Sequence, residues 1–348
     1  MLKQKGFKLL GVGALLAISF VVACASVESA AEPVPSITAA ETLYAEAGPT
    51  SVSIQTDVWS DTERDRAIRV KLYVPKSLER PPVVIFSHGL GGSVEAAPYL
   101  GQHLASWGIL AIHIQHPGSD GEVWRGIRRP AKIRAALKNA ARDPKNSVDR
   151  FNDLHFVLDE IERRVTEGSL NADMTKVGMA GHSFGAHSVL AAAGRRSLSP
   201  SGLVSFKDPR VKAGVVLSPP APAPWATAER YDDHFGEIDI PLLHITGSED
   251  ESPLDPNQSA EDRQIAFKQI NAAPQYLIVF EGADHGVFGG VNRPRSPDWY
   301  PSIQGRVAQA GTVFFKAYLN EDARSQEFMN GGQFDRAFDG VAATDRKP

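Results

Sequence analysis

The period of the hydrophobic positions changes along the chain, and each period predicts an element. Residues 67–75 alternate apolar and polar side chains and end at a proline, which predicts a strand with one exposed face. Residues 82–86 are continuously apolar, as expected for a strand buried on both faces of a parallel sheet. Residues 152–165 repeat their apolar side chains every three or four positions, which predicts an amphipathic helix.

Strand and helix patterns continue to alternate as far as residue 319. Further strands are predicted at 109–114, 176–180, 211–217, 241–246 and 275–280, and further helices at 95–107, 186–193, 258–270 and 303–319. This rhythm predicts an α/β fold, in which a doubly wound, mostly parallel sheet has an antiparallel N-terminal edge. We place this fold in a single domain over residues 51–319.

Three stretches stand outside this rhythm. Residues 121–148 are basic and mostly helical in pattern, and the sequence assigns them no function. Residues 218–238 are rich in Pro and Ala and are a candidate cap over a site. The tail, residues 320–348, carries three phenylalanines among polar residues, so packing on the domain and a loose extension are both open.

The N-terminus has the pattern of a secretory signal, because lysines precede an uncharged apolar run at residues 9–23. That run is short for a membrane span. Residues 21–24 resemble a bacterial lipobox, in which Cys24 is lipidated and becomes the mature N-terminus. We therefore predict a lipoprotein signal peptide at 1–23 and a flexible tether at 24–50.

This interpretation predicts secretion across the inner membrane and a lipid anchor that holds the protein in the cell envelope. Ordinary signal cleavage after Ala25 or Ala31 is the alternative, and it would give a periplasmic or extracellular protein. Cys24 is the only cysteine of the chain, so an internal disulfide is excluded and lipidation explains the residue better than redox chemistry does.

Composition limits the class of partner. Hydrophobic residues make up 42% of the chain, which is ample for a large core. The 37 Lys and Arg residues against 41 Asp and Glu residues give a net charge of −4, so no basic excess points to nucleic acid.

The pattern Gly-x-Ser-x-Gly at residues 181–185 follows a predicted strand and precedes a predicted helix. This is the context of a nucleophile elbow, a sharp turn that lifts a serine hydroxyl clear of the sheet. We expect Gly181 and Gly185 to remove side chains that would collide as the helix folds back over the strand. Ser183 is therefore the candidate nucleophile.

A nucleophilic serine needs a base and a group that orients the base. In folds with this elbow, the acid and then the histidine follow the serine along the chain. We choose His285, which we expect in a glycine-flanked loop after the last strand, over His244, which we expect inside a strand and facing the core. The loop after the strand at 241–246 supplies the acid, and Asp250 is preferred to Glu251 because its shorter side chain suits a hydrogen bond to imidazole.

During acyl transfer, negative charge develops on the carbonyl oxygen of the substrate. Backbone N–H groups must already be positioned to donate hydrogen bonds to that oxygen. The expected donors are the amides of Phe184, which follows the nucleophile, and of Leu90, in the glycine-rich loop after the strand at 82–86. We expect His88 to brace this loop. His113 and His116 have no third ligand or zinc motif beside them, so we predict no metal and no cofactor.

Over residues 51–319 the chain resembles the α/β-hydrolase superfamily. Residues 86–91 (Phe-Ser-His-Gly-Leu-Gly) and 181–185 resemble the platelet-activating-factor acetylhydrolase group. The setting of Asp250 and of residues 282–285 is similar to dienelactone-hydrolase-like and polyester-hydrolase relatives. The resemblance implies a cofactor-free serine esterase that acts on small or short-chain acyl esters.

Two departures from the relatives matter. Dienelactone hydrolase itself uses a cysteine nucleophile, whereas this chain has Ser183, and polyester hydrolases and cutinases tend to place the acid where this chain has Glu251. The hypothesis is therefore a lipid-anchored serine carboxylic-ester hydrolase whose partner is a small-molecule or lipid ester. An amidase or peptidase with the same triad, and a non-catalytic binding module on the same fold, are the alternatives. Candidates for an apolar acyl pocket are Trp124, Trp225, Phe288 and Trp299.

Overall fold

The structure, a computed structural model, describes residues 42–76, 80–222, 227, 230–292 and 298–348. The predicted signal peptide, with Cys24, and the candidate pocket residue Trp225 lie outside these residues. The described strands are β1 (Val52–Asp61), β2 (Arg66–Pro75), β3 (Pro82–Ser87), β4 (Leu110–Ile114), β5 (Asp173–His182), β6 (Ser197–Ser199), β7 (Gly202–Val204), β8 (Val211–Leu217), β9 (Leu242–Glu249), β10 (Gln275–Asp284) and β11 (Ala342–Lys347).

Nine of these strands form one mixed sheet in the order β1-β2-β4-β3-β5-β8-β9-β10-β11. The central strands, from β4 to β10 in that order, pair in parallel. Strands β1 and β2 are antiparallel, which confirms the predicted N-terminal edge. The opposite edge was not predicted: β11 pairs antiparallel with β10 through six register partners. Strands β6 and β7 form a separate hairpin.

The described helices lie between and after the strands. They are α1 (Pro98–Ser106), α2 (Pro130–Arg142), α3 (Pro144–Thr166), α4 (Phe184–Ala193), α5 (Tyr231–Phe235), α6 (Ile265–Gln269), α7 (His285–Phe288), α8 (Trp299–Leu319), α9 (Ala323–Asn330) and α10 (Gly332–Phe338). Where one helix was predicted at 258–270, the chain forms a 3₁₀ turn at Glu261–Gln264 and the short α6. No helix within the described ranges combines the length and the apolar character needed to cross a membrane.

Apolar side chains from both faces of the sheet form two cores. One core joins the sheet to α1 and α8 through residues such as Leu100 and Phe314, and the other joins it to α3 and α4 through residues such as Leu158 and Val189. Every residue of β3 is buried, in agreement with the apolar run at 82–86. Helices on both faces of a mostly parallel sheet confirm the predicted α/β architecture.

Two domain boundaries need correction. The predicted tether ended at residue 50, but within the described part of it Leu43 is buried and Glu46 accepts a hydrogen bond from the Trp107 indole through its carbonyl. The described residues 42–50 therefore belong to the packed domain.

The C-terminal boundary at residue 319 is also too early. The tail forms α9, α10 and the edge strand β11, and three of its phenylalanines are at most 1% exposed, namely Phe328, Phe334 and Phe338. Of the two possibilities that the sequence left open, the tail takes the packed one, because these side chains bury their rings against the core that contains α8.

Candidate active site

Ser183 lies at the tip of a tight turn between β5 and α4. Its backbone angles, φ 55° and ψ −116°, fall outside the regions that L-residues ordinarily occupy. Such strain persists only where the surroundings hold it, and here the Ser183 amide donates to the Leu217 carbonyl at 2.9 Å while its carbonyl accepts from the His187 amide at 3.1 Å. The turn is therefore fixed by the neighbouring strand on one side and by the helix on the other.

The two glycines of the pattern allow the backbones at this turn to touch. A Cβ atom on Gly185 would lie 1.8 Å from the carbonyl oxygen of Ser87, and one on Gly181 would lie 2.5 Å from the backbone of Gly185. Neither contact involves a side chain that could move aside. The structure thus agrees with the role that the sequence suggested for both glycines.

A chain of hydrogen bonds joins Ser183, His285 and Asp250. His285 Nε2 lies 2.9 Å from Ser183 Oγ, and His285 Nδ1 lies 2.7 Å from Asp250 Oδ1. An ionised carboxylate can only accept, so Nδ1 carries the proton and Nε2 is free to accept from the serine hydroxyl. All three residues that the sequence selected are brought together, in the order and spacing that general-base activation of a serine requires.

The setting of His285 differs from the predicted loop after the last strand. His285 is the first residue of the short helix α7, and β11 follows later in the chain. Asp284 caps the helix by accepting from the amides of Gly286 and Val287, and it also accepts from the Tyr300 hydroxyl at 2.7 Å. The turn that aims the imidazole is therefore held by a capped helix end rather than by a flexible loop.

Asp250 is fully buried and its second carboxylate oxygen is also satisfied. Oδ2 accepts from Ser218 Oγ at 2.5 Å and from Thr246 Oγ1 at 2.7 Å. Burial raises the pKa of Asp250, but the hydrogen bond from His285 and the nearby Arg263 outweigh it and hold the pKa below its ordinary value. Glu251 is exposed to solvent, so the structure brings Asp250, and not its neighbour, to the imidazole.

Arg263 is a site residue that the sequence analysis missed. Its guanidinium is 2% exposed, and it donates to the carbonyls of Asp250 at 3.0 Å and Pro219 at 3.1 Å. Its Nε also lies 3.4 Å from Asp250 Oδ1, and its Nη2 lies 3.3 Å from His285 Nδ1. The arginine therefore pins the loop that carries the acid and places a fixed positive charge beside it. It lies thirteen residues beyond Asp250, in a stretch predicted as an ordinary helix, so no local pattern indicated this contact.

The two expected oxyanion donors lie on the same cavity as Ser183. Leu90 and Phe184 line that cavity together with Ser183 and His285. Within the described residues, neither the Leu90 amide nor the Phe184 amide donates a hydrogen bond. For Phe184 the reason is that it begins α4, so no carbonyl one turn earlier in the helix can accept from it. Both N–H groups are thus available to a ligand oxygen.

Buried side chains hold the loop that carries Leu90 in place. Arg150, which is fully buried, donates from Nη1 to the His88 carbonyl at 2.7 Å and stacks its guanidinium 4.5 Å from the Phe184 ring centre. His88 donates from Nδ1 to the Gly89 carbonyl at 2.6 Å and accepts from the His116 amide at Nε2. The predicted bracing role of His88 is confirmed, and Arg150 joins it.

A cavity of about 460 Å³ opens beside Ser183. Its aromatic lining is Phe151, Phe184 and Phe235, and the three described candidates for an apolar pocket are elsewhere. Phe288 is buried in the core, Trp124 is 41% exposed and donates to the Gly91 carbonyl, and Trp299 packs on Tyr300. The prediction for these three side chains was wrong, because nearness along the chain to site loops does not determine the direction in which a ring points.

The predicted cap contributes to this cavity. Its described residues 220–222 and the end of α5, at His234 and Phe235, line one wall. The basic excursion lines another wall through Lys138 and Arg142 of α2. The candidate cap and the stretch to which the sequence assigned no function therefore both border the candidate site.

A second Ser–His–Asp set lies in the interior. Ser87 Oγ is 2.9 Å from His116 Nε2, and His116 Nδ1 is 3.0 Å from Asp153 Oδ2. The distances match those of the first set, but all three side chains are completely buried. Burial also lowers the pKa of His116 to about 4, which keeps the imidazole neutral. No substrate reaches this set, so access rather than hydrogen-bond geometry distinguishes the two.

The remaining histidines named from the sequence have separate partners. His113 Nδ1 donates to the Ala96 carbonyl at 3.0 Å, so it faces away from His116 and its partners. His244 is buried in β9 and contacts Gln275 Oε1 at 2.9 Å, as predicted for a core-facing residue. His182, which was not singled out, donates from Nε2 to the His285 carbonyl at 2.9 Å and helps to hold α7.

Comparison with known proteins adds no family assignment. No protein-family model matches the chain, and no curated protein is similar enough in sequence to serve as a relative.

Proposed function

We propose that the chain is a serine carboxylic-ester hydrolase of the α/β-hydrolase class that acts on small or short-chain acyl esters. The observation that carries the proposal is the hydrogen-bond chain Asp250–His285–Ser183, whose hydroxyl end opens into the cavity. The strained backbone at Ser183 and the chain order Ser, Asp, His support it, because both are features of the nucleophile elbow in that class.

The chemistry follows from the positions of the protons. His285 Nε2 takes the proton of Ser183 as Oγ attacks the ester carbonyl, and the negative charge develops on the carbonyl oxygen near the amides of Leu90 and Phe184. The imidazolium, oriented by Asp250, then protonates the departing alkoxide, which leaves an acyl-serine. Water attacks this ester with the same base, and the carboxylic acid is released as Ser183 regains its proton. Loss of one oxyanion donor in such sites typically costs about 3 kcal/mol of transition-state stabilisation.

The test is hydrolysis of a 4-nitrophenyl ester series from acetate to palmitate, with Ser183→Ala as control. Activity that falls steeply beyond short chains and is absent from the variant supports the proposal. Rates that rise toward long chains would replace the short-chain preference with a lipase-like one. Inactivity on every ester, together with hydrolysis of a matched amide, would favour the amidase alternative, and inactivity on both would favour the binding module.

The proposal includes secretion and a lipid anchor on Cys24, supported by the apolar run and the lipobox-like residues 21–24. Replacing Cys24 with serine should abolish incorporation of a labelled fatty acid and release the protein from the membrane fraction. Unchanged fractionation of Cys24→Ser would contradict the anchor and leave the hydrolase proposal intact.

A further inference from the structure

Arg195 is a buried cation without a carboxylate partner among the described residues. Its side chain lies at the end of α4, on the wall of the cavity that contains Ser183, and the residue is 7% exposed. Its Nη2 lies 2.7 Å from Nδ1 and 2.8 Å from Nε2 of His187, and its Nε has no hydrogen-bond partner within the described chain. Burying a charge without a counter-ion is costly, so a folded protein seldom keeps one unless a ligand completes it.

Among the described residues, the one side-chain partner of the guanidinium is the His187 imidazole, which is itself neutral. Burial and the neighbouring Arg195 and Arg150 lower the pKa of His187 well below its ordinary value, so the imidazole supplies no negative charge and carries no positive one at neutral pH. Burial lowers the pKa of Arg195 to about 10, which still leaves the guanidinium protonated at neutral pH. One full positive charge therefore remains at this end of the cavity.

The charged side chains on the rest of the cavity wall are also mostly positive. With Arg195 included, the described lining contains five Lys or Arg residues and a single carboxylate, Asp255. Two of the five cations are neutralised, since Arg263 pairs with Asp250 and Arg196 pairs with Glu237. Lys138 and Arg142, on α2, have no ion pair in the described residues, so they add positive potential elsewhere on the wall of the same cavity.

Ser183 and Arg195 line the same cavity, which suits a bifunctional substrate. Ser183 directly precedes α4, and His187 lies in the first turn of that helix, where its amide donates to the Ser183 carbonyl at 3.1 Å. The Arg195 guanidinium contacts the His187 imidazole. A flexible acyl chain inside this cavity can therefore place its ester carbonyl at the serine and its other end at the guanidinium.

We propose that Arg195 binds a carboxylate carried by the substrate, so that the esters cleaved at Ser183 are half-esters of dicarboxylic acids or similar anionic esters. This inference rests on the proposed hydrolase function for its catalytic consequence. A carboxylate is preferred to a phosphate because phosphate sites usually gather several backbone N–H and cationic donors, whereas this buried end offers one guanidinium and one imidazole.

The test compares two substrates that differ only in charge, 4-nitrophenyl hydrogen adipate and its neutral methyl ester, on the full-length protein. We expect kcat/KM to favour the anionic ester by roughly tenfold to a hundredfold, the size of a charge-assisted hydrogen-bonded pair. Arg195→Gln should reduce this ratio to about one, and Arg195→Lys should restore part of it. Arg163→Gln, which removes an exposed arginine of α3 that does not line the cavity, should keep the wild-type ratio. A wild-type ratio of one or less, or an unchanged ratio in Arg195→Gln, would overturn the proposal.

A binding measurement separates this proposal from the hydrolase proposal. Calorimetric titration with monomethyl adipate should show binding to the wild-type protein and none to Arg195→Gln, whether or not any ester is cleaved. Equal binding to both proteins would overturn the carboxylate site, and so would tighter binding of inorganic phosphate than of monomethyl adipate. The thermal midpoint of Arg195→Met should rise, since the variant removes an uncompensated buried charge; a large fall would identify a structural role instead.

Discussion

His285 Nε2 lies 2.9 Å from Ser183 Oγ, whereas His116 Nε2 lies at the same 2.9 Å from Ser87 Oγ in the closed interior. Each histidine also contacts a buried aspartate through Nδ1. Only the first pair borders the cavity. The protein thus holds two similar hydrogen-bond chains, and we assign reactivity to the one that solvent and substrate reach.

The first prediction concerns the buried chain. Ser87→Ala should leave turnover of 4-nitrophenyl acetate per folded molecule within about threefold of wild type, while lowering the free energy of unfolding by about 1 to 3 kcal/mol, because His116 loses a buried partner. Urea unfolding and steady-state kinetics on the same preparation measure both quantities. A loss of turnover comparable to that of Ser183→Ala, with stability unchanged, would show that the assignment is reversed.

The second prediction distinguishes the two candidate acids. Asp250→Asn should lower kcat by about 10⁴, the effect seen when an amide replaces the carboxylate that orients a catalytic histidine. Glu251→Gln, a matched change on an exposed neighbour, should leave kcat within about twofold. Steady-state kinetics at pH 7.5 compare the pair, and the reverse ranking would move the acid to Glu251.

The third prediction concerns Arg263, whose positive charge helps to hold the pKa of Asp250 down. Arg263→Gln removes that charge, so the pKa of Asp250 should rise. As the pH is lowered, the variant should therefore lose activity at a higher pH than the wild-type protein does. We expect the acid limb of the kcat/KM profile to move to higher pH and Arg263→Lys to move it back in part. A purely structural arginine would lower activity at every pH without moving the limb.

The fourth prediction compares alanine substitutions at Gly185, which is tightly packed, and at Gly305, which has open space around it. Gly185→Ala should cost about 3 kcal/mol or more, or prevent folding, since its Cβ would lie 1.8 Å from the Ser87 carbonyl oxygen. Gly305→Ala is the matched control, because nothing lies within 4 Å of its Cβ and alanine favours the helix, so stability should rise by about 0.5 to 1 kcal/mol. Thermal unfolding of both variants provides the comparison, and similar midpoints for the two would argue against a close backbone approach at the turn.

The fifth prediction is a loss of stability in mild acid. Burial lowers the pKa of His113 and His182 to about 3 and of His116 and His244 to about 4. In the unfolded chain these imidazoles bind protons below about pH 6.5, whereas in the folded chain they stay neutral until the pH approaches 4. The free energy of unfolding is therefore highest above about pH 6.5 and falls as the pH drops toward 4. Each histidine contributes at most about 1.4 kcal/mol per pH unit.

Urea unfolding at pH 7.5 and at pH 5.5 checks this dependence. We expect a lower free energy of unfolding at pH 5.5, and a smaller difference in His244→Gln, which removes one such imidazole that does not line the cavity. An equal or greater stability at pH 5.5 would contradict the neutral state assigned to these histidines.

The sequence alone predicted the parts of the site that depend on local rules. The strand, the glycines and the helix around Ser183 are contiguous, and the order of the acid and the histidine follows from the order of the strands. Asp250 was preferred to Glu251 because of its shorter side chain, and the structure places Asp250 at the imidazole.

What the sequence did not predict depends on contacts between distant segments. Arg263 acts on Asp250 because a 3₁₀ turn replaces the start of a predicted helix and directs the guanidinium inward. The edge strand β11 has few apolar residues, and its strand conformation comes from pairing with β10. Arg195 follows a glycine in an ordinary-looking sequence, and only its burial beside His187 sets it apart.

The central claim is that Ser183 forms the covalent acyl intermediate, and active-site labelling tests it most directly. Incubating the protein with a fluorophosphonate and measuring its intact mass and peptide masses should show one adduct, on Ser183, and none on Ser87. The adduct should be absent from Ser183→Ala and should form far more slowly in His285→Ala, because the base is gone. An unlabelled wild-type protein, or a Ser183→Ala variant that still hydrolyses 4-nitrophenyl esters at the wild-type rate, would contradict the account.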